Sequence, residues 1–492
     1  YNNINRNMEM NELKPAEVFK FFAEVNKIPR PSKHEEKMIA YLQQFAAERG
    51  LECKVDEVGN VLVRKPATPG MEGRKAVILQ SHMDMVCEKN RDVDFDFTKD
   101  AIRTEVDGEW LRAQGTTLGA DDGIGIAMAL AVLDADDMAH GPLECVFTRD
   151  EETGLTGAFG MKPGFMSGDI LLNLDSEDEG QLFVSCAGGA ATTAEFDFKP
   201  IGAPQDYFFF ELKVKGLTGG HSGDDINKKR ANANKLLVRF LYNALAKYDL
   251  YLCDIQAGGL HNAIPREAMA VCAIPMADKE NIRVDWNLFA ADVEEEYRVT
   301  EKTMVFELQS EAPRAEAVER EVARKLVWSL MAVHNGILAM SQDIDLVETS
   351  SNLASIRLEE GNKIRVKTSQ RSSILSARHC MSNMVKAAFE LGGARVEVGE
   401  GYPGWKMNPD SEILKIAVRT YKELFGKEPK VLGIHAGLEC GLFSEKYPGL
   451  DMVSFGPTLR GVHSPDERLL IPTVQMVWDH LKAILENIPS RA

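Results

Sequence analysis

Short apolar runs that end in polar side chains recur along the chain, and the clearest occupies residues 77–84. Its β-branched, apolar start predicts a buried parallel strand, and its last positions carry His82 and Asp84. Ligands of open α/β sheets bind outside the carboxyl ends of such strands. Because residues two apart on an extended chain point the same way, His82 can bind a metal while Asp84 orients its ring. On its own, the pattern also fits a strand-end histidine that bonds a nearby carboxylate.

Two further apolar runs lead into carboxylates. Residues 143–148 predict a strand that is followed by Glu151 and Glu152, and residues 170–174 predict another that is followed by Asp175. Any one of these acids is an ordinary turn residue. Several carboxylate-bearing turns and a histidine within one α/β unit, however, indicate a common site at one edge of a sheet.

A pair of aspartates opens the next predicted helix, which covers residues 126–135 and is rich in Ala, Leu and Met. Asp121 and Asp122 lie between Gly119 and Gly123, and glycines permit unusual backbone angles. A simple N-cap would account for one of the two aspartates, and this interpretation stays open for either.

Other helices are predicted from ordinary signals. Ser32 and Glu35 form the pattern of a capping box, which predicts the start of a helix over residues 32–49. Residues 312–339 are rich in Glu, Arg and Ala and predict one long helix with a break near residues 335–336.

The pattern of predicted strands and helices changes twice along the chain, and these changes predict the domain boundaries. After a segment of small residues the pattern becomes α+β, and from Ser411 an α/β pattern returns and leads to His463. We therefore predict one α/β domain built from residues 11–188 and 402–492. An α+β domain of residues 189–401 is inserted into it and is long enough for one or two compact units.

Composition narrows the class of protein. The 492 residues exceed the roughly 250–300 that one core supports, which predicts two or three domains. A net charge of −18 and a pI near 5.2 argue against nucleic-acid and membrane partners, since phosphates would be repelled.

The eight scattered cysteines include no Cys-x-x-Cys pair and fit core thiols of a reducing cytosol. Residues 1–10 are polar and are predicted to be a disordered leader.

Five of the strand-end and turn side chains together suit a pair of divalent cations. Two imidazoles and three carboxylates are too many donors for one closed tetrahedral zinc, but they fit two ions that share a bridging carboxylate. The Asp121–Asp122 corner is the best bridge because it lies between the other donors in chain order. Two such ions can polarise a carbonyl and activate water, and Glu151 then supplies a general base beside it. The five donors are His82, Asp121, Glu152, Asp175 and His463.

With these residues in place, the chain resembles the M20 family of co-catalytic zinc peptidases, and most closely its aminoacyl-histidine dipeptidase (Xaa-His dipeptidase, peptidase D) branch. Many family members have lysine where Gly123 stands; its absence is typical of the dipeptidase branch and favours it over the deacylases. The matching motifs are Ser81-His82-Met83-Asp84, Gly119-Ala120-Asp121-Asp122-Gly123, Asp150-Glu151-Glu152-Thr153-Gly154, Asn173-Leu174-Asp175 and Gly461-Val462-His463-Ser464.

The resemblance implies a role for each donor. Asp121 would bridge the two ions. His82 and Asp175 would complete one ion's site, and Glu152 and His463 would complete the other. Zinc is the implied metal, while cobalt and manganese suit the same donors.

The resemblance also implies a catalytic domain of the zinc-peptidase type, with a mixed sheet flanked by helices, and an inserted α+β lid domain. Glu151 would act as general base, Asp84 would support His82, and the peptide bond between Asp121 and Asp122 would be cis.

Substrate-binding residues are implied mainly in the lid. There His221 would steady the oxyanion, Asn262 would bind a terminus of the substrate, and Arg371 would bind its C-terminal carboxylate. Gly437 and Glu439, which follow the insertion, would shape the substrate pocket.

The function implied is metal-dependent hydrolysis of dipeptides, Xaa-His dipeptides above all, by a cytoplasmic enzyme. The alternatives are an M20-type deacylase, another small-peptide aminopeptidase and a metal-binding protein without turnover; the presence of Glu151 speaks against the last. The expected partner is a small dipeptide. The sequence leaves open whether the chain is a monomer or a homodimer, and whether His221 acts in its own chain or in a second one.

Overall fold

Two separate β-sheets organise the chain, each in its own compact unit. The first unit is built from residues up to 185, from residues 407–433 and from residue 439 onward; the second comprises residues 186–406 and 434–438. The structure, a computed structural model, describes residues 10–491, so all of the predicted leader except its last residue lies outside the described part. The predicted α/β class, with helices and a mixed sheet, is confirmed.

The first unit contains an eight-stranded mixed sheet. Its central strands pair in parallel and are buried on both faces, which is why their sequences read as continuous apolar runs. The carboxyl ends of these strands therefore share one edge of the sheet, where the predicted site residues begin. In spatial order the strands are Glu52–Val55, Val61–Lys65, Leu143–Thr148, Val77–His82, Ile170–Asn173, Asp451–Ser454, Gln181–Cys186 and Lys430–Ile434.

Helices pack against this sheet around one apolar core. The helix Ala120–Asp134 is buried on almost every side, as expected for a helix without a polar face. A small four-stranded sheet of Thr104–Asp107, Trp110–Ala113, Arg468–Leu470 and Leu459–Arg460 completes the unit. The other helices are Ala16–Val25, Glu36–Glu48, Thr156–Gly160, Glu412–Phe425, Glu439–Lys446 and Ile471–Glu486.

The second unit is built on an antiparallel sheet with its own core. Its strands, in spatial order, are Val305–Ser310, Phe208–Lys215, Ala268–Ile274, Tyr251–Gly258, Val347–Glu359, Lys363–Ser372, Gly188–Asp197 and Arg395–Val398, with Gly336–Met340 added beside Val347–Glu359. Its helices are Ala233–Lys247, Lys279–Glu296, Arg320–Ala332 and Leu375–Leu391. Two-stranded pairs join Pro200–Gly202 to Glu316–Val318 and Gly220–His221 to Ala263–Ile264.

The prediction of one long helix over residues 312–339 is wrong. The helix covers only Arg320–Ala332, and strands Glu316–Val318 and Gly336–Met340 precede and follow it. Glu316–Val318 pairs with the distant strand Pro200–Gly202, and Gly336–Met340 forms a hairpin with Val347–Glu359, the next strand in the chain. These pairings outweigh the helical propensity of the flanking residues.

Candidate functional site

The five predicted donors meet at the carboxyl edge of the first unit's sheet, in two groups. In the first group, His82 Nε2 lies 2.9 Å from Asp121 Oδ1 and 3.4 Å from Asp175 Oδ1. His82 ends its buried strand, and Asp175 follows the neighbouring parallel strand. The ligand atoms of these three side chains lie within 4.8 Å of one another, a spacing that can hold a metal ion.

The second group uses the other oxygen of the same aspartate. His463 Nε2 lies 3.1 Å from Asp121 Oδ2 and 3.0 Å from Glu152 Oε2. Asp121 therefore contributes one carboxylate oxygen to each group, as a bridging ligand would. His463 reaches this position from the other end of the chain, on a backbone with a φ of 65° that places it in the left-handed region.

Asp122 turns away from the two groups. The peptide bond between Asp121 and Asp122 is cis, as the resemblance implied. The buried carboxylate of Asp122 accepts the backbone N–H of His82 at 3.2 Å, so it holds the strand end. A side chain at Gly125 would place its Cβ 2.3 Å from Asp122 Oδ1, which explains the glycine there. Neither aspartate caps the helix, whose N-cap position is Gly119.

Asp84 lies behind His82 and also fixes the turn that carries the two glutamates. Its Oδ1 is 3.2 Å from His82 Nδ1, and its carboxylate accepts the backbone N–H groups of Glu151 and Glu152 at 3.0 and 3.2 Å. Burial alone would raise the pKa of Asp84, but hydrogen bonds from His82 and Ser32 hold that pKa at about 2. The carboxylate thus stays ionised and orients both the imidazole and the turn.

The predicted capping box at Ser32 and Glu35 is wrong, because both side chains serve the site instead. Ser32 Oγ donates to Asp84 at 2.7 Å, and the helix begins only at Glu36. The buried Glu35 carboxylate accepts the backbone N–H of Asp150 and the Nε–H of Arg149, both at 2.9 Å. Glu35 therefore holds the start of the turn that carries Glu151 and Glu152.

Arg30 is a buried residue of the site that no sequence signal identifies. Its guanidinium donates to the carbonyl oxygens of Asp84 at 2.9 Å and Gly119 at 2.5 Å, and so ties the two metal-binding segments together. A Cβ at Gly123 would lie 2.6 Å from Arg30 Nη2. This close approach is a physical reason for glycine, rather than the more common lysine, at that position.

The electrostatics of the first unit's site fit divalent cations. Burial raises the pKa of Glu151 well above its ordinary value, and the charges of Asp175 and Glu439 add to the effect. Burial likewise raises the pKa of Asp175, to which the charge of Asp121 contributes. Two cations among these oxygens would favour the ionised carboxylates, and a set of imidazole and carboxylate donors suits zinc, cobalt or manganese.

Glu439 is buried next to this site rather than exposed in a cleft of its unit. Its carboxylate accepts a hydrogen bond from Gln80 Nε2 at 2.7 Å, and burial raises its pKa. Its neighbours within the unit indicate a supporting role, and its predicted part in substrate binding stays a prediction.

In the second unit, the ring of His221 lies between backbone N–H groups and Arg371. Its Nδ1 accepts the backbone N–H groups of Gly223 and Asp224, each at 3.2 Å, and its Nε2 lies 3.4 Å from Arg371 Nη2. Burial and the charge of Arg371 lower the pKa of His221, so the neutral ring is favoured. With Nδ1 as an acceptor, the neutral ring would carry its proton on Nε2.

Arg371 is buried in the second unit, and its described polar partners include no carboxylate. It donates from Nη1 to the Tyr402 hydroxyl at 3.0 Å and from Nη2 to Ser222 Oγ at 3.4 Å, and its Nε has no described acceptor. It lines a cavity of about 260 Å³. A Cβ at Gly437 would lie 2.7 Å from the Tyr402 ring, so this glycine leaves room for the tyrosine.

Asn262 lies on an exposed turn of the second unit. Its backbone carbonyl accepts the N–H of Ser222 at 2.8 Å, which joins the turn to the segment that carries His221. The substrate-binding roles of Asn262, Arg371 and Gly437 stay predictions.

Comparison with known proteins agrees with the motifs. Residues 78–487 match the model of Peptidase family M20/M25/M40. The cytosol non-specific dipeptidase of Escherichia coli K12 is 42% identical over 484 residues, which cover 98% of this chain and 100% of the relative. The predicted family is thereby confirmed. No helix within residues 10–491 is long and apolar enough to cross a membrane.

Comparison with solved structures also finds similarity to peptidases. The aminoacylhistidine dipeptidase of Vibrio alginolyticus superimposes with a TM-score of 0.93 at 45% identity, over 99% of both chains. A tripeptidase of Staphylococcus aureus superimposes with a TM-score of 0.56 at 16% identity, over 97% of this chain and 99% of the other, and shares the fold.

Proposed function

The chain belongs to Peptidase family M20/M25/M40, and we propose that it is a metal-dependent dipeptidase that acts on small dipeptides, with Xaa-His dipeptides as a preferred class. The observation that carries this proposal is the convergence of two histidines and two further carboxylates on the two oxygens of Asp121, with Glu151 within reach of the same site. The Escherichia coli and Vibrio alginolyticus relatives described above are both named as dipeptidases, which supports it.

We propose two divalent ions, zinc before cobalt or manganese, as the cofactor. His82, Asp175 and one oxygen of Asp121 would hold one ion, and Glu152, His463 and the other oxygen of Asp121 would hold the second. When bound, such a pair supplies a Lewis acid for the peptide carbonyl and lowers the pKa of water.

Residues of the protein itself then carry out the proton transfers of the reaction. Glu151 accepts a proton from the attacking water as the oxygen bonds to the carbonyl carbon, and it returns that proton to the amine as the C–N bond breaks. Asp84 keeps the Glu151 backbone in place throughout.

We assign substrate recognition to groups of the second unit, which we propose to be the lid. His221 Nε2–H would donate to the oxyanion, and the Arg371 guanidinium would pair with the substrate carboxylate. Asn262 would bind a terminus of the dipeptide. The name of the Escherichia coli relative supports a cytosolic location. Monomer and homodimer both stay open.

Substrate preference tests the proposed reaction. We expect the zinc-loaded protein to release both amino acids from Xaa-His dipeptides, measured by chromatography, and to leave N-acyl amino acids intact. An N-acyl amino acid cleaved faster than every dipeptide would support the deacylase alternative instead, and failure to cleave any dipeptide would overturn the proposal.

The role of Arg371 gives a second prediction. We expect Arg371→Met to raise KM for dipeptides by roughly 10–100-fold, since a charge-assisted hydrogen bond contributes about 1.5–3 kcal/mol. KM for the same dipeptides with an amidated C-terminus should change little, because they carry no carboxylate. The exposed Arg395→Met serves as the control. Equal effects on acid and amide substrates would remove Arg371 from carboxylate binding.

A further inference from the structure

Glu467 binds four consecutive backbone N–H groups, a contact that the proposed mechanism does not use. Its buried carboxylate accepts from Leu118 at 2.7 Å and Gly119 at 3.0 Å through Oε2, and from Ala120 at 3.0 Å and Asp121 at 3.3 Å through Oε1. Successive N–H groups that point to one centre form a concave anion-binding site, and here the anion is a side chain of the same protein.

This contact joins two of the three segments that make the second metal-binding group, those of Asp121 and His463. Glu467 lies four positions after His463, and the last of its four donors is the backbone of Asp121. The side chains of His463 and Asp121 approach to 3.1 Å although they are 342 positions apart in the chain. Without a link between the two segments, their separation would depend on an exposed loop.

Arg30 completes the restraint from the other side. While Glu467 takes the N–H of Gly119, Arg30 Nη2 donates to the carbonyl of the same residue at 2.5 Å. Both polar groups of the Gly119 peptide units are thus held by buried charged side chains. The loop before Asp121 is therefore fixed by contacts that need no metal.

We propose that Glu467 is a positioning residue that holds Asp121 and His463 at the separation required by the second ion before that ion binds. The proposal rests on the two-ion centre of the proposed function. It adds that the affinity for the second ion depends on the carboxylate of Glu467, although this side chain is not among the donors.

The substitution Glu467→Gln removes part of the contact with little change in shape. A glutamine offers one acceptor oxygen, and its NH₂ group would face two of the four N–H donors, leaving them unpaired. Asp466→Asn is the matched control, since it removes one negative charge from the neighbouring, exposed position of the same loop.

The test is a Zn²⁺ titration of the full-length, metal-free proteins by calorimetry, together with hydrogen exchange of the amides of residues 118–121. Outer-shell changes typically cost about 10–100-fold in metal affinity. We expect Glu467→Gln to weaken one of two Zn²⁺ binding steps by such a factor, to spare the other, and to speed exchange at residues 118–121. Asp466→Asn should match the wild type in both measurements.

Two results would overturn the proposal. One is binding of both Zn²⁺ ions by Glu467→Gln with wild-type affinities. The other needs no variant and applies even if Glu467→Gln does not fold: unprotected exchange of the amides of residues 118–121 in the metal-free wild type would show that they are not held in advance. A wild type that binds fewer than two Zn²⁺ ions would instead contradict the two-ion centre itself.

Discussion

Replacing Glu151 by glutamine is expected to abolish hydrolysis while leaving metal uptake intact. The substitution keeps the shape of the side chain and the backbone N–H that donates to Asp84. It removes the only function assigned to the Glu151 carboxylate, the transfer of a proton from water to the leaving amine. General base catalysis contributes about 10²–10⁴-fold, so we expect kcat to fall by at least this factor.

The measurement pairs a chromatographic assay of Xaa-His hydrolysis with elemental analysis of bound metal. Glu48→Gln, a change on the surface of the helix Glu36–Glu48, is the control and should leave both values unchanged. Loss of metal together with activity would make Glu151 a ligand rather than a base. Unchanged turnover would remove it from the mechanism.

Replacing the shared aspartate is expected to affect both ions, whereas replacing one histidine affects only one. Asp121→Asn removes the negative charge that both groups share, so both Zn²⁺ binding steps of the metal-free protein should weaken. His463→Ala removes the imidazole of the second group alone, and one step should survive. Each loss should exceed the roughly 10–100-fold typical of outer-shell changes, because a ligand itself is altered.

Titration calorimetry with Zn²⁺ separates these outcomes, and Asp107→Asn on an exposed strand end provides the control. If Asp121→Asn weakened only one step, Asp121 would belong to one ion and the bridge would be wrong. If His463→Ala weakened both steps equally, the two groups could not be treated as separate sites.

Local sequence signals located the donors of the first unit. The apolar run that ends in His82 and the run that precedes Asp175 predicted buried parallel strands, and parallel strands present their carboxyl ends at one edge. An apolar run and the polar residues at its end involve only a few neighbouring positions. Both can therefore be recognised in the sequence when the fold is not known. His463 stood in the same set of five donors, but no local pattern could show that it meets Asp121 from the other end of the chain.

Local signals failed where distant pairing competes with propensity. Residues 312–339 favour a helix by composition, yet one of their segments pairs as a strand with residues far away in the chain, and another forms a hairpin with the strand that follows it. Ser32 and Glu35 have the spacing of a capping box, but in the fold Ser32 donates to the Asp84 carboxylate and Glu35 accepts the backbone N–H of Asp150. A sequence pattern cannot show which of two possible hydrogen-bond partners is nearer.

The sequence by itself therefore determined which side chains could bind metal and at which strand ends they stand. Only the tertiary structure decided that Asp121 divides its two oxygens between the groups while Asp122 holds the His82 backbone. It alone also brought in Arg30 and Glu467, whose partners are backbone groups. Every residue except proline carries the same backbone N–H and C=O, so the sequence contains no sign of which ones a buried charge will meet.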